Sequence, residues 1–262
     1  METRISIIGV GAMGGAVAEG LLGAGFPASL LTLADPQQQN LARFAEQGAV
    51  VTANNREAAR RADVVILAVK PWLVDDLLAE IGSSLDYANQ SLLVIAAGVS
   101  GESLLKQLAH GDDEAILPIS LVIPNIAVAV GQSMTFIVPV SGAPDVAVRL
   151  FERLGSTQIV SEGLLPAATS LASCGIAYAL RYIRAAMEGG VELGFRASAA
   201  QEVVAQTVVG AARLLERQGA HPETEIDKVT TPGGVTIKGL NAMEQAGFTN
   251  AVISGLKAST KS

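Results

Sequence analysis

The stretch RISIIGVGAMG, residues 4–14, decides the fold class of this chain. Its first six residues form a short, mostly apolar run that is typical of a buried strand. Glycines then recur in the pattern G-x-G-x-x-G at Gly9, Gly11 and Gly14. In such a pattern the first glycine permits a tight turn, the second lets the backbone approach a pyrophosphate, and the third lets the next helix pack closely. The stretch therefore predicts a dinucleotide-binding turn, and a glycine-rich turn without a ligand is the alternative.

Apolar runs and helical segments alternate from this turn to about residue 160. Helices are predicted over residues 13–25 and 36–47. Strands are predicted over residues 30–34, 62–69, 91–97, 115–120 and 134–138. Such an alternation is typical of an α/β Rossmann domain, a doubly wound and mostly parallel sheet with helices on both faces.

The pattern changes near residue 161, after which no convincing strand follows. Residues 165–193 and 197–218 are long and alanine-rich, with apolar side chains at helical spacing. A helical domain with this much apolar surface is expected to bury that surface against a second copy of itself. We therefore predict a dinucleotide-binding domain over residues 1–160 and an all-α dimerisation domain over residues 161–262.

Composition excludes several classes of function. The net charge is −7 and the 18 lysines and arginines form no basic cluster, which disfavours nucleic acid as a partner. No run of 18 apolar residues occurs, so no membrane partner is expected. One cysteine, Cys174, cannot form an internal disulfide, and a cytoplasmic location is expected. With only two histidines, His110 and His221, we predict no metal site.

Asp35 is the candidate for cofactor selection, because it ends the second predicted strand. A carboxylate there accepts hydrogen bonds from the ribose diol of NAD and repels the additional phosphate of NADP. Asp35 followed by Pro36 also suits the start of a helix, and the two roles are compatible. Residues 36–42 contain no lysine or arginine to hold a phosphate. Of the two nicotinamide cofactors, NADH and NADPH, we therefore expect NADH.

The stretch DKVTTPGGVTI, residues 227–237, resembles the signature of the pyrroline-5-carboxylate reductase family. Further segments agree with that family in the same order: AVKP at 68–71, AAGVS at 96–100, and the dipeptide Pro124-Asn125. The resemblance covers essentially the whole chain. It implies a Rossmann domain followed by a helical domain that interlocks two subunits, which assemble as a homodimer or a larger ring of dimers. It also implies the reduction of a cyclic imino acid at its C=N bond, giving proline, in proline biosynthesis.

The resemblance also implies roles for individual residues. The cofactor would be contacted by Gly9, Gly11, Ala12, Met13, Gly14, Asp35, Asn55, Ala68, Val69, Lys70, Pro71, Ala97 and Gly98. For Asn55 an ordinary loop asparagine is the alternative, and Lys70 is expected to act through its backbone rather than as a catalytic base. The substrate would be bound by Asn125, Thr231, Gly233, Gly234 and Thr236. Thr236 would be catalytic, with its hydroxyl hydrogen-bonded to the ring nitrogen. A helix-capping turn is the alternative reading of residues 231–236.

The chain departs from the family pattern near the expected substrate pocket. Residues 121–127 read LVIPNIA where the family has an arginine, a threonine and a second proline, and residues 174–178 read CGIAY where it has a serine and a proline. Arg181 and Arg184 also replace residues of other types. These changes motivate an alternative, a related reductase for another cyclic imino acid, such as one with a six-membered ring.

The architecture is compatible with two other classes of protein. β-Hydroxyacid dehydrogenases share this architecture but need a catalytic lysine on the first long helix of the second domain. No lysine occurs between Lys106 and Lys228, which argues against that class. A non-catalytic dinucleotide-binding paralogue is the remaining alternative, and the retained Pro-Gly-Gly-x-Thr stretch argues against it.

Overall fold

The protein is described by a computed structural model that covers residues 3–109 and 117–260. Its chain divides into two compact units, Met1–Ser173 and Cys174–Ser262. The predicted domain boundary after residue 160 stays a prediction. His110 and the first two residues of the strand predicted over 115–120 lie outside the described residues.

One eight-stranded sheet forms the centre of unit 1. Its strands follow the order β3-β2-β1-β4-β5-β6-β7-β8. All neighbouring strands are parallel except β6 and β7, which are antiparallel. The first six strands have the order of a Rossmann fold. The strands are β1 (Ile5–Ile8), β2 (Leu31–Ala34), β3 (Val50–Thr52), β4 (Val64–Leu67), β5 (Ser91–Val94), β6 (Ile119–Ile123), β7 (Ser133–Ser141) and β8 (Gly155–Ile159).

Helices cover the two faces of this sheet. One buried cluster contains Ile5 and Ile7 of β1, and the other contains Ile8, because successive side chains of a strand point to opposite faces. The predicted fold class, an α/β Rossmann domain followed by a helical domain, is confirmed. The helices of unit 1 are α1 (Ala12–Gly23), α2 (Gln38–Ala45), α3 (Asn55–Arg60), α4 (Val74–Ile81), α5 (Gly101–Gln107), α6 (Asp145–Glu152) and the short α7 (Leu165–Ala168).

Two strands of the sheet have no counterpart in the sequence prediction, β3 and β8. β3 has three residues, and β8 reads GSTQI, a largely polar pentapeptide. Each of them is an edge strand that pairs with one neighbour only. Their strand conformation therefore depends on backbone hydrogen bonds to β2 and β7 rather than on an apolar pattern of their own.

Unit 2 consists of helices, and its described residues contain no strand. The two long helices, α8 (Gly175–Glu192) and α9 (Ala197–Leu214), pack together, and α12 (Phe248–Ala258) lies against α8. There the Tyr178 hydroxyl donates to the Gly255 carbonyl at 3.2 Å. The rings of Tyr182 and Phe248 meet edge to face, with centroids 6.4 Å apart. The other helices are α10 (Pro222–Lys228) and α11 (Val235–Gln245).

Large apolar side chains lie on the surface of unit 2. Leu180 is 58% exposed, Leu193 85% and Val235 84%, while Ala200 is the one fully buried apolar residue among those described in this unit. The helical stretch Glu162–Glu192 is also long and apolar enough to cross a membrane by length and composition alone. A single stretch of that kind is a weak indication of a membrane span, and an apolar face between subunits has the same composition.

Candidate active site

A cleft of about 730 Å³ lies at the carboxyl ends of the strands of unit 1. In open α/β sheets ligands bind at this edge, where the strand order reverses. The cleft crosses the ends of β2, β1, β4, β5 and β6. Eleven residues expected to contact a cofactor line this one cleft: Gly9, Gly11, Ala12, Met13, Asp35, Asn55, Ala68, Val69, Lys70, Pro71 and Ala97.

The glycine turn has the geometry that each of its positions needs. Gly9 has φ +93°, a conformation that side-chain-bearing residues rarely adopt. A Cβ on Gly14 would lie 1.9 Å from the carbonyl oxygen of Gly9, so the third glycine is required by packing. A Cβ on Gly11 would meet nothing within 4 Å, because Gly11 faces the open cleft. Gly14 itself is buried beneath the turn and does not line the cleft.

The N-terminus of α1 opens into this cleft. Its N-cap residue is Gly11, and neither a side-chain cap nor an acidic residue in the first turn satisfies its backbone N–H groups. Free N–H donors and the positive end of a helix dipole together attract an anion. The turn and the helix start therefore fit a pyrophosphate.

Asp35 follows β2 and is 7% exposed. Its carboxylate accepts hydrogen bonds from the Val10 N–H at 2.8 Å, the Gln37 N–H at 2.8 Å and the Asn40 side-chain amide at 3.2 Å. The side chain thus fixes the glycine turn as well as lining the cleft. Asp35 is not the N-cap of α2, which was the alternative role predicted from the sequence. That helix begins at Gln38, two residues later than predicted, and its N-cap is Gln37.

Asn55 lines the cleft beside a carboxylate that the sequence analysis did not single out. Its side-chain amide donates to Glu80 Oε2 at 2.9 Å. Since a carboxylate only accepts hydrogen bonds, Glu80 fixes which way the Asn55 amide points. Glu80 and Asp76 both lie on the side of α4 that lines the cleft.

Lys70 is the one cation among the described residues that line the cleft. It is exposed and has an extended backbone with ψ 144°, as expected for a residue before proline. Asp35, Asp76 and Glu80 supply three carboxylates around the same cleft. The side chains that line the cleft therefore carry a net negative charge, and the N-terminus of α1 adds a local positive dipole.

The remaining predicted site residues lie elsewhere. Gly98 has φ +85° and does not line the cleft. Asn125 is 4% exposed, and its side chain bonds to the backbone of Ala127 and Ala172 rather than lining the cleft. The other four, Thr231, Gly233, Gly234 and Thr236, belong to unit 2.

Residues 231–234 form a turn that leads into α11, and Thr236 is the second residue of that helix. The Gly234 N–H donates to the Thr231 carbonyl at 2.9 Å, and Gly233 has φ +71°. Gly234 is the N-cap of α11, which has no side-chain cap. Thr236 is exposed, and its hydroxyl makes no hydrogen bond to another described residue. The turn therefore offers free backbone donors and a hydroxyl to a ligand.

Several cleft residues were missed by the sequence analysis. Asp76 and Glu80 share one helix face, which their spacing of four residues could have indicated. Thr169 and Ser173 gave no such signal, because their segment is a π-helical turn (Thr169–Cys174) inside an otherwise ordinary helical pattern. Ile123 and Pro124 at the end of β6 also line the cleft.

Comparisons with known proteins agree with these observations. A family model described as pyrroline-5-carboxylate reductase dimerisation matches residues 162–262, and one described as NADP oxidoreductase coenzyme F420-dependent matches residues 4–97. Pyrroline-5-carboxylate reductase 2 of Dictyostelium discoideum is 32% identical over 97% of this chain and 89% of its own length. The chain belongs to the pyrroline-5-carboxylate reductase family.

Two further comparisons differ in identity and in how much of the relative is covered. Pyrroline-5-carboxylate reductase 1 of D. discoideum is 38% identical over 99% of this chain, which spans about half (49%) of that longer protein. The crystal structure of Plasmodium falciparum pyrroline carboxylate reductase with NADP bound superposes with a TM-score of 0.86. It covers 100% of this chain and 97% of the other at 24% identity, which supports the fold.

Proposed function

We propose that this protein is a pyrroline-5-carboxylate reductase, an NAD(P)H-dependent oxidoreductase that reduces the C=N bond of 1-pyrroline-5-carboxylate to give L-proline in proline biosynthesis. The observation that carries this proposal is the similarity to a reductase of that name over 97% of the chain and 89% of the relative. The cleft with its glycine turn and uncapped helix N-terminus supports the cofactor half of the proposal.

When bound, the nicotinamide cofactor supplies the hydride. The residues of unit 1 would bind the cofactor and orient it. The N-terminus of α1 holds the pyrophosphate through its backbone N–H groups. The backbone of residues 68–71 and of Ala97 lines the cleft beyond the glycine turn.

The turn at residues 231–234 and the start of α11, with Thr236, are proposed to hold the substrate. The turn's free backbone N–H groups, at the positive end of α11, suit the substrate carboxylate. The hydroxyl of Thr236 then hydrogen-bonds the ring nitrogen, which must carry a proton in the product amine. This chemistry needs no metal ion and no strong base, and it agrees with the residue types present.

NADH is the proposed cofactor, rather than NADPH. Asp35, Asp76 and Glu80 place negative charge around the cleft, where it would repel the 2′-phosphate of NADPH. The nearby Arg43 is already paired with Glu19 and does not line the cleft. The NADP in the P. falciparum structure and in the description of the N-terminal family model makes the comparison of both cofactors essential.

We further propose a homodimer, or a ring of dimers, that functions in the cytoplasm. The match of residues 162–262 to a dimerisation family supports self-association, and so do the exposed apolar side chains of the same region. A second subunit would remove that apolar surface from water.

The test is a steady-state assay of 1-pyrroline-5-carboxylate reduction with NADH and with NADPH. We expect turnover to proline with a higher kcat/KM for NADH. Higher kcat/KM with NADPH would contradict the cofactor proposal alone. Dinucleotide binding without turnover of any cyclic imino acid would favour the non-catalytic paralogue.

A second candidate is the reduction of a cyclic imino acid with a six-membered ring. It is favoured by the segment 121–127, which departs from the family pattern at several positions. Within that segment, Ile123 and the family-matching Pro124 line the cleft. The same assay with the six-membered homologue separates the two candidates. A preference above about tenfold in kcat/KM, equal to about 1.4 kcal/mol, would establish the larger ring.

A further inference from the structure

The helical segment before unit 2 contributes two hydroxyl groups to the cleft. Thr169 and Ser173 lie on the π-helical turn Thr169–Cys174, between α7 and α8, and both residues line the cleft and are half-buried. π-Helical turns within α-helices are rare and frequently occur at functional sites. This turn therefore places two polar side chains in the cleft that an ordinary helical pattern does not reveal.

Among the described residues, neither hydroxyl has a hydrogen-bond partner. Thr169 and Ser173 make no side-chain hydrogen bond to another described residue, whereas Thr207 and Thr230 donate to backbone carbonyls four residues earlier. Serine and threonine in helices commonly make that local bond. Two half-buried hydroxyls that face a cleft without such partners are available to a ligand.

Asn125 holds this segment against the end of β6. Its side-chain amide donates to the Ala172 carbonyl at 3.4 Å, and its side-chain oxygen accepts from the Ala127 N–H at 3.1 Å. Its own backbone N–H donates to the Ser133 hydroxyl at 3.2 Å, and the side chain is 4% exposed. The two hydroxyls are therefore presented from an anchored position rather than from a free loop.

The order of strands tells which end of the cleft these hydroxyls line. Asp35 lies at the end of the cleft next to β2, and the glycine turn lies in the middle of the cleft, next to β1. The segment that carries Thr169 and Ser173 is bonded to Asn125 through the Ala172 carbonyl, and Ala168 packs against Ile123. The two hydroxyls therefore line the cleft beside the end of β6, on the far side of β4. With adenosine over β2 and the pyrophosphate at α1, the nicotinamide half of an extended dinucleotide occupies that far side.

We infer that Thr169 and Ser173 bind the carboxamide of the nicotinamide and so fix the orientation of its ring. A hydroxyl can both donate and accept, and a carboxamide offers one acceptor oxygen and two N–H donors, so the two groups are complementary. The inference rests on the proposed nicotinamide cofactor and adds residues to its site. Asn125 acts as a positioning residue through the Ala172 carbonyl.

The test compares two ligands that differ only in the nicotinamide half. Binding of NADH and of ADP-ribose to the full-length protein is measured by titration calorimetry for the parent, Thr169→Val and Ser173→Ala. We expect each variant to bind NADH about 3- to 10-fold more weakly, the loss expected for one hydrogen bond, with ADP-ribose binding unchanged. If the parent prefers NADPH, the matched pair is NADPH and 2′-phospho-ADP-ribose.

Two controls separate a lost contact from a damaged fold. Thr169→Ser keeps the hydroxyl and should retain parental NADH binding. Ser83→Ala removes an exposed hydroxyl that does not line the cleft and should change neither ligand. Equal weakening of NADH and ADP-ribose, or unchanged NADH binding, would overturn the inference. A parent that binds neither dinucleotide would overturn the proposed function together with it.

Discussion

At the scale of single residues, Thr236 carries the largest share of the proposed chemistry. Its hydroxyl makes no hydrogen bond to a described residue, so its removal should leave the fold intact. We expect Thr236→Ala to lower kcat/KM roughly 10- to 100-fold, since a hydrogen bond to a group that becomes charged contributes about 1.5–3 kcal/mol. Thr236→Ser should retain most activity. Parental kcat and KM in Thr236→Ala would refute the assigned role.

Glu80 offers a separate test of cofactor selection. Glu80→Gln removes one negative charge from the cleft and still provides an oxygen that can accept from Asn55. We expect the kcat/KM ratio of NADPH to NADH to rise about threefold, the effect of one charge several ångströms from a phosphate in water. Glu216→Gln, on an exposed residue that does not line the cleft, is the matched control. An unchanged ratio would show that Glu80 does not sense the phosphate.

Asp63 links the starts of two neighbouring strands by its contact with Arg4. The Arg4 backbone N–H and guanidinium each donate to the Asp63 carboxylate at 2.7 Å. These bonds, chiefly the one from the guanidinium, hold the pKa of Asp63 below its ordinary value. Because the folded-state pKa is lowered, the contribution to stability is complete above the ordinary pKa and is lost as pH falls through the folded-state pKa.

The corresponding prediction concerns Asp63→Asn. The pair is solvent-exposed, so its contribution is below about 1 kcal/mol and the expected loss of Tm at pH 7 is at most about 3 °C. That difference from the parent should disappear in acid. Thermal unfolding between neutral and strongly acidic pH is the measurement, and a difference that grows on acidification would contradict it.

At the scale of elements, the glycine turn and α1 separate folding from binding. Gly11 faces open space, whereas a Cβ on Gly14 would collide with the carbonyl of Gly9. We expect Gly14→Ala to destabilise unit 1 by about 1–3 kcal/mol, the usual cost of an overpacked core. Gly11→Ala should keep the parental Tm and lose dinucleotide affinity, because the methyl group occupies ligand space.

Both glycine variants can be followed with one intrinsic probe. Trp72, the single tryptophan, lies between Pro71 and Leu73, which both line the cleft. Its fluorescence overlaps the absorption of reduced nicotinamide and so reports NADH binding, while thermal melting reports the fold. Gly23→Ala, with open space at its Cβ, is the control. A Gly11→Ala protein with parental affinity would show that the second glycine does not approach the ligand.

At the scale of the whole molecule, the apolar surface of unit 2 is the feature that the proposed dimer explains. The described residues of unit 2 bury almost no apolar side chain within one chain, which is too little for an independent core. We expect Leu180→Glu, on α8, to shift the protein towards monomers and to lower its Tm. Sedimentation velocity and thermal melting are the measurements. Leu105→Glu, on a similarly exposed leucine of α5 in unit 1, should keep the parental mass.

Two results of the Leu180→Glu experiment would contradict the expected assembly. If Leu180→Glu sediments as the parent does and melts at the same temperature, the apolar side chains of α8 are not the subunit interface. A parent that is itself monomeric would remove the homodimer from the proposed function and leave the cleft unaffected.

The amino-acid sequence was enough to predict the Rossmann domain, the helical second domain and eleven of the residues that line the cleft. These predictions rest on short stretches of sequence. The G-x-G-x-x-G spacing, the apolar runs and the position of Asp35 after one such run each indicate a local conformation. The three-dimensional structure was needed to reveal the strand conformation of β8, the bond from Val10 to Asp35, and the position of Thr169 and Ser173 in the cleft. These features depend on contacts between residues far apart in sequence or on a π-helical turn, and a periodic pattern records neither.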